Sequence, residues 1–413
     1  MLKTRLLQDK LLRMSKQFKI VLLTGARQVG KSTSLSMSFP EHQRFTFDPY
    51  QDLYYAKAEP DLFLQSFAAP LILDEIQFVP MLLSSLKRKV DESQQKGQYL
   101  LTGSQNILML KNTAETMAGR VGILPLFPFT YFEINAMPHQ SWLSIYLNDP
   151  QNCIHQLQVT TPPSLYPLLW RGTMPGTLEL HNEFIPPYYA SYVQTYLERD
   201  VRVFQDINDM STFNRFLTIC AALSGQELNI NQLGRELGIS PHTAAKWLQI
   251  LTGSYLWLET LPYSGNTIKR ISNKRKGYFI DPGLICYLQR LPSPEALASS
   301  PFLGAVFESF CVAMLMALSQ ALPVQPYFYH WRSHNGAEVD LILDYNGALY
   351  PIEIKCKTNL NKYDLRGLRA FRETYPNANI QKALILYCGT HILQLDENTL
   401  AMPWFAYTPN LLF

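Results

Sequence analysis

The stretch Val21-Leu-Leu-Thr-Gly25-Ala-Arg-Gln28-Val29-Gly30-Lys31-Ser32-Thr33 decides the fold. Four apolar or β-branched residues read as a buried strand, and Gly25-x-x-x-x-Gly30-Lys31-Ser32 comes at once after them. This is the pattern of a phosphate-binding loop. Backbone N–H groups from Gly25 through Gln28, Val29, Gly30 and Thr33 would turn towards an anion, and the helix that starts there adds the positive end of its dipole. Lys31 would reach the β- and γ-phosphates, and Ser32 would ligate Mg²⁺. A chance turn before a helix is the alternative. The strand before the motif and the Ser/Thr-rich helix start after it favour the functional reading.

Downstream, Arg44-Phe-Thr-Phe-Asp48 reads as a second strand, and Pro70-Leu-Ile-Leu-Asp74-Glu75 as a third, delivering two carboxylates at its C-terminal end, where ligands sit in open α/β sheets. Asp74 would hold Mg²⁺ and Glu75 would polarise an attacking water. The next strand, Gln98 to Thr102, brings Ser104 or Gln105 beside them to orient that water or sense the γ-phosphate. Arg120, past Gly119 and before an apolar strand at 121–126, is either a finger reaching a neighbouring subunit's nucleotide or an ordinary surface arginine.

Composition narrows the class. With 413 residues, two to three domains are expected. A net charge of +3 gives no whole-chain case for nucleic acid, so local patches must carry it. Six scattered cysteines show no metal-type spacing and fit a reduced, cytoplasmic chain. Neither an apolar run of about eighteen residues nor a signal-peptide pattern is present, so no membrane partner is expected. Residues 1–20 read as a basic amphipathic helix, packed on the core or facing nucleic acid.

Residues 136–187 are rich in Pro, Gln and aromatics and read as a helical linker into a lid. There Arg199 would contact phosphates or pair with Glu198 or Asp200. From Leu228 the pattern becomes helix, Gly238 turn, Ser240 cap, Pro241 at the first helical position and a second helix, which is helix-turn-helix grammar. Strands near 256–261 and 277–280 would form a wing. His242, Thr243 and Lys246 would face a duplex groove, and Lys269, Arg270, Lys274, Arg275 and Lys276 would meet phosphates. A plain packing role for this segment is the alternative.

In the last third, Asp340 precedes Glu353-Ile-Lys355 by thirteen residues (353 − 340) on neighbouring strands, the layout of a restriction-endonuclease-like, PD-(D/E)xK fold. Alternation puts Glu353 and Lys355 on one strand face. Asp340 and Glu353 would hold a metal, Lys355 would orient water, and Glu308 would complete the shell. A non-cleaving scaffold, with the lysine offsetting the carboxylates, is the expected outcome.

Gly25-Ala-Arg-Gln-Val-Gly-Lys-Ser, Leu73-Asp-Glu-Ile-Gln, Thr102-Gly-Ser-Gln, Ala118-Gly-Arg120 and Leu126-Phe-Pro-Phe-Thr-Tyr-Phe-Glu together resemble the prokaryotic AAA+ family ATPases that carry a long C-terminal domain of unknown function. Tyr196-Leu-Glu-Arg-Asp-Val, Tyr278-Phe-Ile-Asp281-Pro-Gly, Gly304-x-x-Phe-Glu308 and Pro351-Ile-Glu-Ile-Lys355 extend the resemblance over almost the whole chain. One departure is Arg171-Gly-Thr-Met-Pro175, where relatives often have two glycines before the proline. The resemblance implies an ATP- and Mg²⁺-dependent ATPase that forms homo-oligomers, a hexamer for example. The expected architecture is α/β: a P-loop AAA+ core over 1–135, a helical lid over 136–220, a winged helix-turn-helix over 221–300 and a nuclease-like domain over 301–413. The expected function is an ATP-driven motor or remodeller of DNA, conceivably branched DNA. A nucleotide-controlled regulatory or defence switch with a protein partner is the alternative, and an ATP-gated nuclease the second.

Overall fold

A computed structural model describes residues 3–104, 117, 119–137, 141–197, 209–265 and 274–409. The chain divides into two compact units, residues 1–129 with 251–256, and residues 130–250 with 257–413. In the first, five parallel strands run in the order β2-β3-β4-β1-β5: β1 Ile20–Thr24, β2 Gln43–Thr46, β3 Leu71–Asp74, β4 Tyr99–Gly103 and β5 Val121–Pro125. Every residue of β1, β3 and β4 is buried, because helices cover both faces of such a sheet. Leu22 is in register with Leu101 on one side and Ile123 on the other, so β1 is flanked by strands on both sides. The core joins Ile20, Leu22, Phe63, Leu71, Leu73, Leu82 and Leu86, each side chain contributing roughly 1.5–3 kcal/mol by leaving water. Parallel register carries the C-terminal ends of β1, β3 and β4 to one edge, where the phosphate loop emerges.

In the second unit one nine-stranded sheet has the order β13-β14-β12-β11-β10-β9-β7-β8-β6. Its strands are β6 Gln226–Glu227, β7 Trp257–Pro262, β8 Lys276–Phe279, β9 Tyr327–Arg332, β10 Glu338–Tyr345, β11 Ala348–Lys355, β12 Ala383–Tyr387, β13 Leu393–Asp396 and β14 Thr399–Pro403. The expected wing strands are β7 and β8, antiparallel with Trp257 opposite Phe279. The boundary drawn at 300 does not separate them from the C-terminal strands, because β7 also pairs in parallel with β9 through Leu261↔Tyr329 and Pro262↔His330. The helix Leu303–Ser319, apolar on nearly every side, packs against β8 and β11 and is largely buried, as an all-round apolar helix must be.

The two helices Ile230–Leu237 and Pro241–Gly253 are joined as their sequence demands. Asn229 caps the first by accepting from Gln232 N, Gly238 ends it at φ 70°, and Ser240 Oγ accepts from Thr243 N at 3.0 Å to start the second. Trp247 of the second helix meets Phe213 and Phe216 edge-on at ring-centroid distances of 5.3 and 5.4 Å. The family block at 278–283 is a structural tie: fully buried Asp281 accepts from Leu284 N, Thr173 N and Tyr189 OH. This explains the glycines around it, since a Cβ on Gly172 or Gly283 would lie 2.0 or 2.3 Å from the Tyr189 hydroxyl. Among the described residues, no helix is long and apolar enough to cross a membrane.

Candidate nucleotide site and a C-terminal acidic cluster

The phosphate loop takes its shape from three backbone positions. Gly25 stands at φ 141° with no room for a Cβ, which would lie 2.1 Å from Leu126 O. Gln28 and Gly30 adopt φ 61° and 92°, and Gly30 caps the helix Lys31–Ser38. Left-handed turns of this kind gather N–H groups into an anion-binding concavity. Arg5 braces the loop: its guanidinium donates to Val29 O at 2.7 Å and Phe127 O at 2.6 Å and lies over the Phe129 ring. A basic helix over residues 1–20 would display Arg5 on its charged face. The helix instead begins at Gln8, and Arg5 is buried beneath the loop.

Lys31 Nζ lies over the loop, donating to Gly25 O, Ala26 O and, at 3.0 Å, to Ser104 Oγ. Ser104 in turn donates to the Glu75 carboxylate at 3.1 and 3.2 Å. Beside this line, Ser32 Oγ donates to Asp74 Oδ1 at 2.7 Å. The Asp74 carboxylate also accepts from Thr102, Thr46 and Arg44, the last at 2.5 Å. Burial pushes the Asp74 carboxyl up, but hydrogen bonds from Thr102 and Ser32 and the Arg44 guanidinium outweigh it, so its pKa lies below the usual carboxylate value. Glu75 sits at φ 59° and ψ 45°, a left-handed conformation that stores about 1–3 kcal/mol in a non-glycine residue, and Gln77 holds its carboxylate.

These residues fit Mg²⁺. In an octahedron of radius about 2.1 Å, adjacent oxygens stand about 3.0 Å apart, within a few tenths of an ångström of the 2.7 Å Ser32–Asp74 separation. Ser32 and Asp74 would hold the ion, which would neutralise phosphate charge.

Gly25, Gln28, Val29, Gly30, Lys31, Ser32, Thr33, Asp74, Glu75 and Ser104 thus occupy one sheet edge or the loop and helix start attached to it. Arg120 does not. It precedes Val121, which pairs with Ile20 at the opposite end of β1, and it donates to Asp91 at 2.7 and 3.0 Å. Gln105 and Arg199 lie outside the described residues, as do Lys269 and Arg270. Arg44 and Thr46 were missed as site residues. In Arg44-Phe-Thr-Phe the phenylalanines face the core and the polar pair faces Asp74, an alternation visible in the sequence.

In the second unit, Asp340 and Glu353 do come together with Glu308 and Lys355, but around an unexpected centre. Lys276, expected on a wing to meet DNA phosphates, is 2% exposed and stands 2.7 Å from Glu308, 3.0 Å from Glu338 and 3.3 Å from Asp340. That assignment is corrected: β8 runs into the sheet interior, so of the described basic residues there Lys274 and Arg275 stay exposed while Lys276 does not, and Arg275 binds Glu259 at 2.7 Å. A β-bulge aims Asp340: between the pairs Val339↔Trp331 and Ile342↔Tyr329, Asp340 and Leu341 stand against His330 alone. Asp340 Oδ2 accepts from Ile354 N, and Lys355 donates to Glu353 at 2.5 Å.

Burial, with Asp340 nearby, pushes Glu308 up to about 7 and Glu353 up to about 8. Burial opposes the charge on Lys276, yet Tyr278, Glu308 and Asp340 raise its pKa well above the usual lysine value. A divalent cation does not fit here, because an ammonium already stands among the carboxylates. Among the described residues, no three His, Cys, Asp or Glu side chains are grouped as ligands for a metal ion.

On the exposed face of the second helix, His242 and Lys246 are open to solvent, whereas the Thr243 hydroxyl is engaged with Ser240 Oγ at 2.8 Å.

Residues 17–135 match the AAA domain family, residues 303–407 match a domain of unknown function, DUF4143, and residues 163–295 match another, DUF8612. The chain thus joins an AAA-family ATPase domain to a DUF4143 domain, the pairing that the sequence resemblance leads one to expect. Uncharacterized proteins of Mycobacterium tuberculosis and Mycobacterium bovis are each 27% identical to this ATPase over 387 residues, which is 93% of this chain and 80% of theirs. A Walker-type ATPase of Pyrococcus abyssi is similar in structure with a TM-score of 0.42 at 14% identity, covering 68% of this chain and 94% of that one.

Proposed function

We propose that this ATPase hydrolyses ATP with Mg²⁺ and couples the cycle to work on DNA as a homo-oligomer. The observation that carries the hydrolytic part is the hydrogen-bonded line from Lys31 through Ser104 to Glu75, which would link the γ-phosphate site to the group that takes a proton from attacking water. Lys31→Ala is expected to lose nucleotide binding. Glu75→Gln should keep binding and lose turnover by roughly 10²–10⁴-fold, since it keeps shape but cannot accept the proton. Steady-state turnover alongside fluorescent-nucleotide binding checks both, and full activity in Glu75→Gln removes that residue from catalysis.

The DNA part rests on the solvent-open His242 and Lys246 of a helix-turn-helix with the grammar of a winged helix, and on Lys274. Stimulation of turnover by single-stranded, duplex or four-way-junction DNA tests it. Arg120 would act as a finger only after leaving Asp91. Turnover that rises with protein concentration, and falls in Arg120→Ala, would support that role. A second reading, a nucleotide-controlled switch, is favoured by the Arg44 and Gln77 contacts that hold Asp74 and Glu75 in a resting arrangement. Turnover indifferent to every DNA would support it. Cleavage is disfavoured by Lys276, and no nicking with Mn²⁺ is expected.

A further inference from the structure

From the last residue of β11 onward, residues 355–369 carry five cations, Lys355, Lys357, Lys362, Arg366 and Arg369, against one acid, Asp364. Three are already engaged: Lys355 with Glu353, Lys357 with Asp364 at 2.6 Å and Arg369 with Asp396 at 2.9 Å. Lys362 and Arg366 are exposed and have no ion partner among the described residues. Between them Tyr363 is 86% exposed, the most exposed large side chain among the described apolar and aromatic residues.

This ring is displayed by a rigid turn. Asn361 and Asp364 form a capping box, with Tyr363 N donating to Asn361 Oδ1 at 2.9 Å and Asn361 N to Asp364 Oδ2 at 2.7 Å. The turn runs directly into the helix Arg366–Thr374, which is pinned to the sheet at Gly367, where a Cβ would lie 1.7 Å from Glu338 O. An aromatic face held out in water, flanked at one and three residues by uncompensated cations, offers a stacking surface between two phosphate contacts.

We infer that the Lys362-Tyr363-Arg366 turn is a contact site for single-stranded nucleic acid, with an unpaired base stacked on Tyr363 and flanking phosphates held by Lys362 and Arg366. The inference rests on the reading that this ATPase works on DNA and moves one contact from the expected wing to the C-terminal sheet. A duplex keeps its bases stacked on one another, so the ring distinguishes single strands, and because every base has a π-face the site is tolerant of sequence.

The test uses full-length protein and fluorescein-labelled 20-mers of thymidine and of uridine, with a 20-base-pair duplex as control, monitored by anisotropy over a salt series. Tyr363→Ala should weaken single-strand binding about tenfold and Tyr363→Trp should restore it. Lys362→Ala with Arg366→Ala should reduce the log–log salt slope by about 1.4, two contacts at about 0.7 each. Basal ATP turnover should be unchanged in all three variants, reporting intact folding. Binding of either strand with these losses supports the site; binding of uridine alone supports it while overturning the DNA reading. Wild-type binding that all three variants retain overturns the site and leaves that reading standing, as does an equal loss on the duplex. No binding of any strand by wild type overturns both.

Discussion

At the scale of single residues, the nucleotide site depends on where side chains are forbidden as much as on where they act. Gly25 has φ 141° and would aim a Cβ into Leu126 O, so Gly25→Ala must move the loop or β5. The expected outcome is loss of nucleotide binding with little change in melting temperature, because the strands beneath keep their core. Titration with a fluorescent nucleotide and a thermal melt check it, and near-normal affinity would show that the loop tolerates the shift. Lys31, Ser32, Asp74, Glu75 and Ser104 were legible in the sequence because each sits at a strand end or helix start that the apolar pattern itself locates. Arg44 and Arg5 were not assigned to the site. Their contacts depend on which strand lies beside β3 and which carbonyls the folded loop presents, and neither is a property of local spacing. Lys276 was misread for a related reason: a Lys-Arg-Lys run looks solvated until strand pairing turns its last member inward.

At the scale of elements, β8, β10, β11 and the helix Leu303–Ser319 meet at a cluster where the acids Glu308, Glu338, Asp340 and Glu353 face the bases Lys276 and Lys355. Burial, and after it the neighbouring Asp340 carboxylate, explains why Glu308 and Glu353 retain protons to about 7 and about 8 against an ordinary 4.5. An acid whose folded pKa is raised contributes stability fully present below its unfolded value and lost as pH rises through the folded one. The melting temperature should therefore fall between about pH 4.5 and about 8, and Glu308→Gln should flatten that slope. A melt series in both proteins checks the sign, and parallel curves would exclude Glu308 as a source. Lys276→Met should cost about 3–5 kcal/mol, since it strands buried carboxylates. The Asp340, Glu353 and Lys355 layout was visible in the sequence as alternation on neighbouring strands. Its occupant was not, because Lys276 comes from a strand 64 residues before Asp340. The Thr130–Glu133 capping box, inside a block read only as a family signature, was readable from its Thr-x-x-Glu spacing and went unassigned.

At the scale of the whole molecule, the sheet of the second unit ignores the domain boundary expected at 300. A fragment ending there would leave the outer half of β7 without β9 and Lys276 without its acids. It is expected to be expressed as insoluble or unfolded chain, whereas 130–413 should give a cooperative melt; circular dichroism and size-exclusion chromatography distinguish the two. Monodisperse, folded 130–300 would show that the wing strands stand alone. The intact sheet ends on β6, two residues long, and on β13, four residues long with a register shift between Gln394 and Asp396. Short, irregular outer strands leave few open N–H and C=O groups for another copy to pair with, so this order protects the chain against ribbon-like self-association at high concentration. Any engineered split within the sheet would create the long, flat template that the native order withholds.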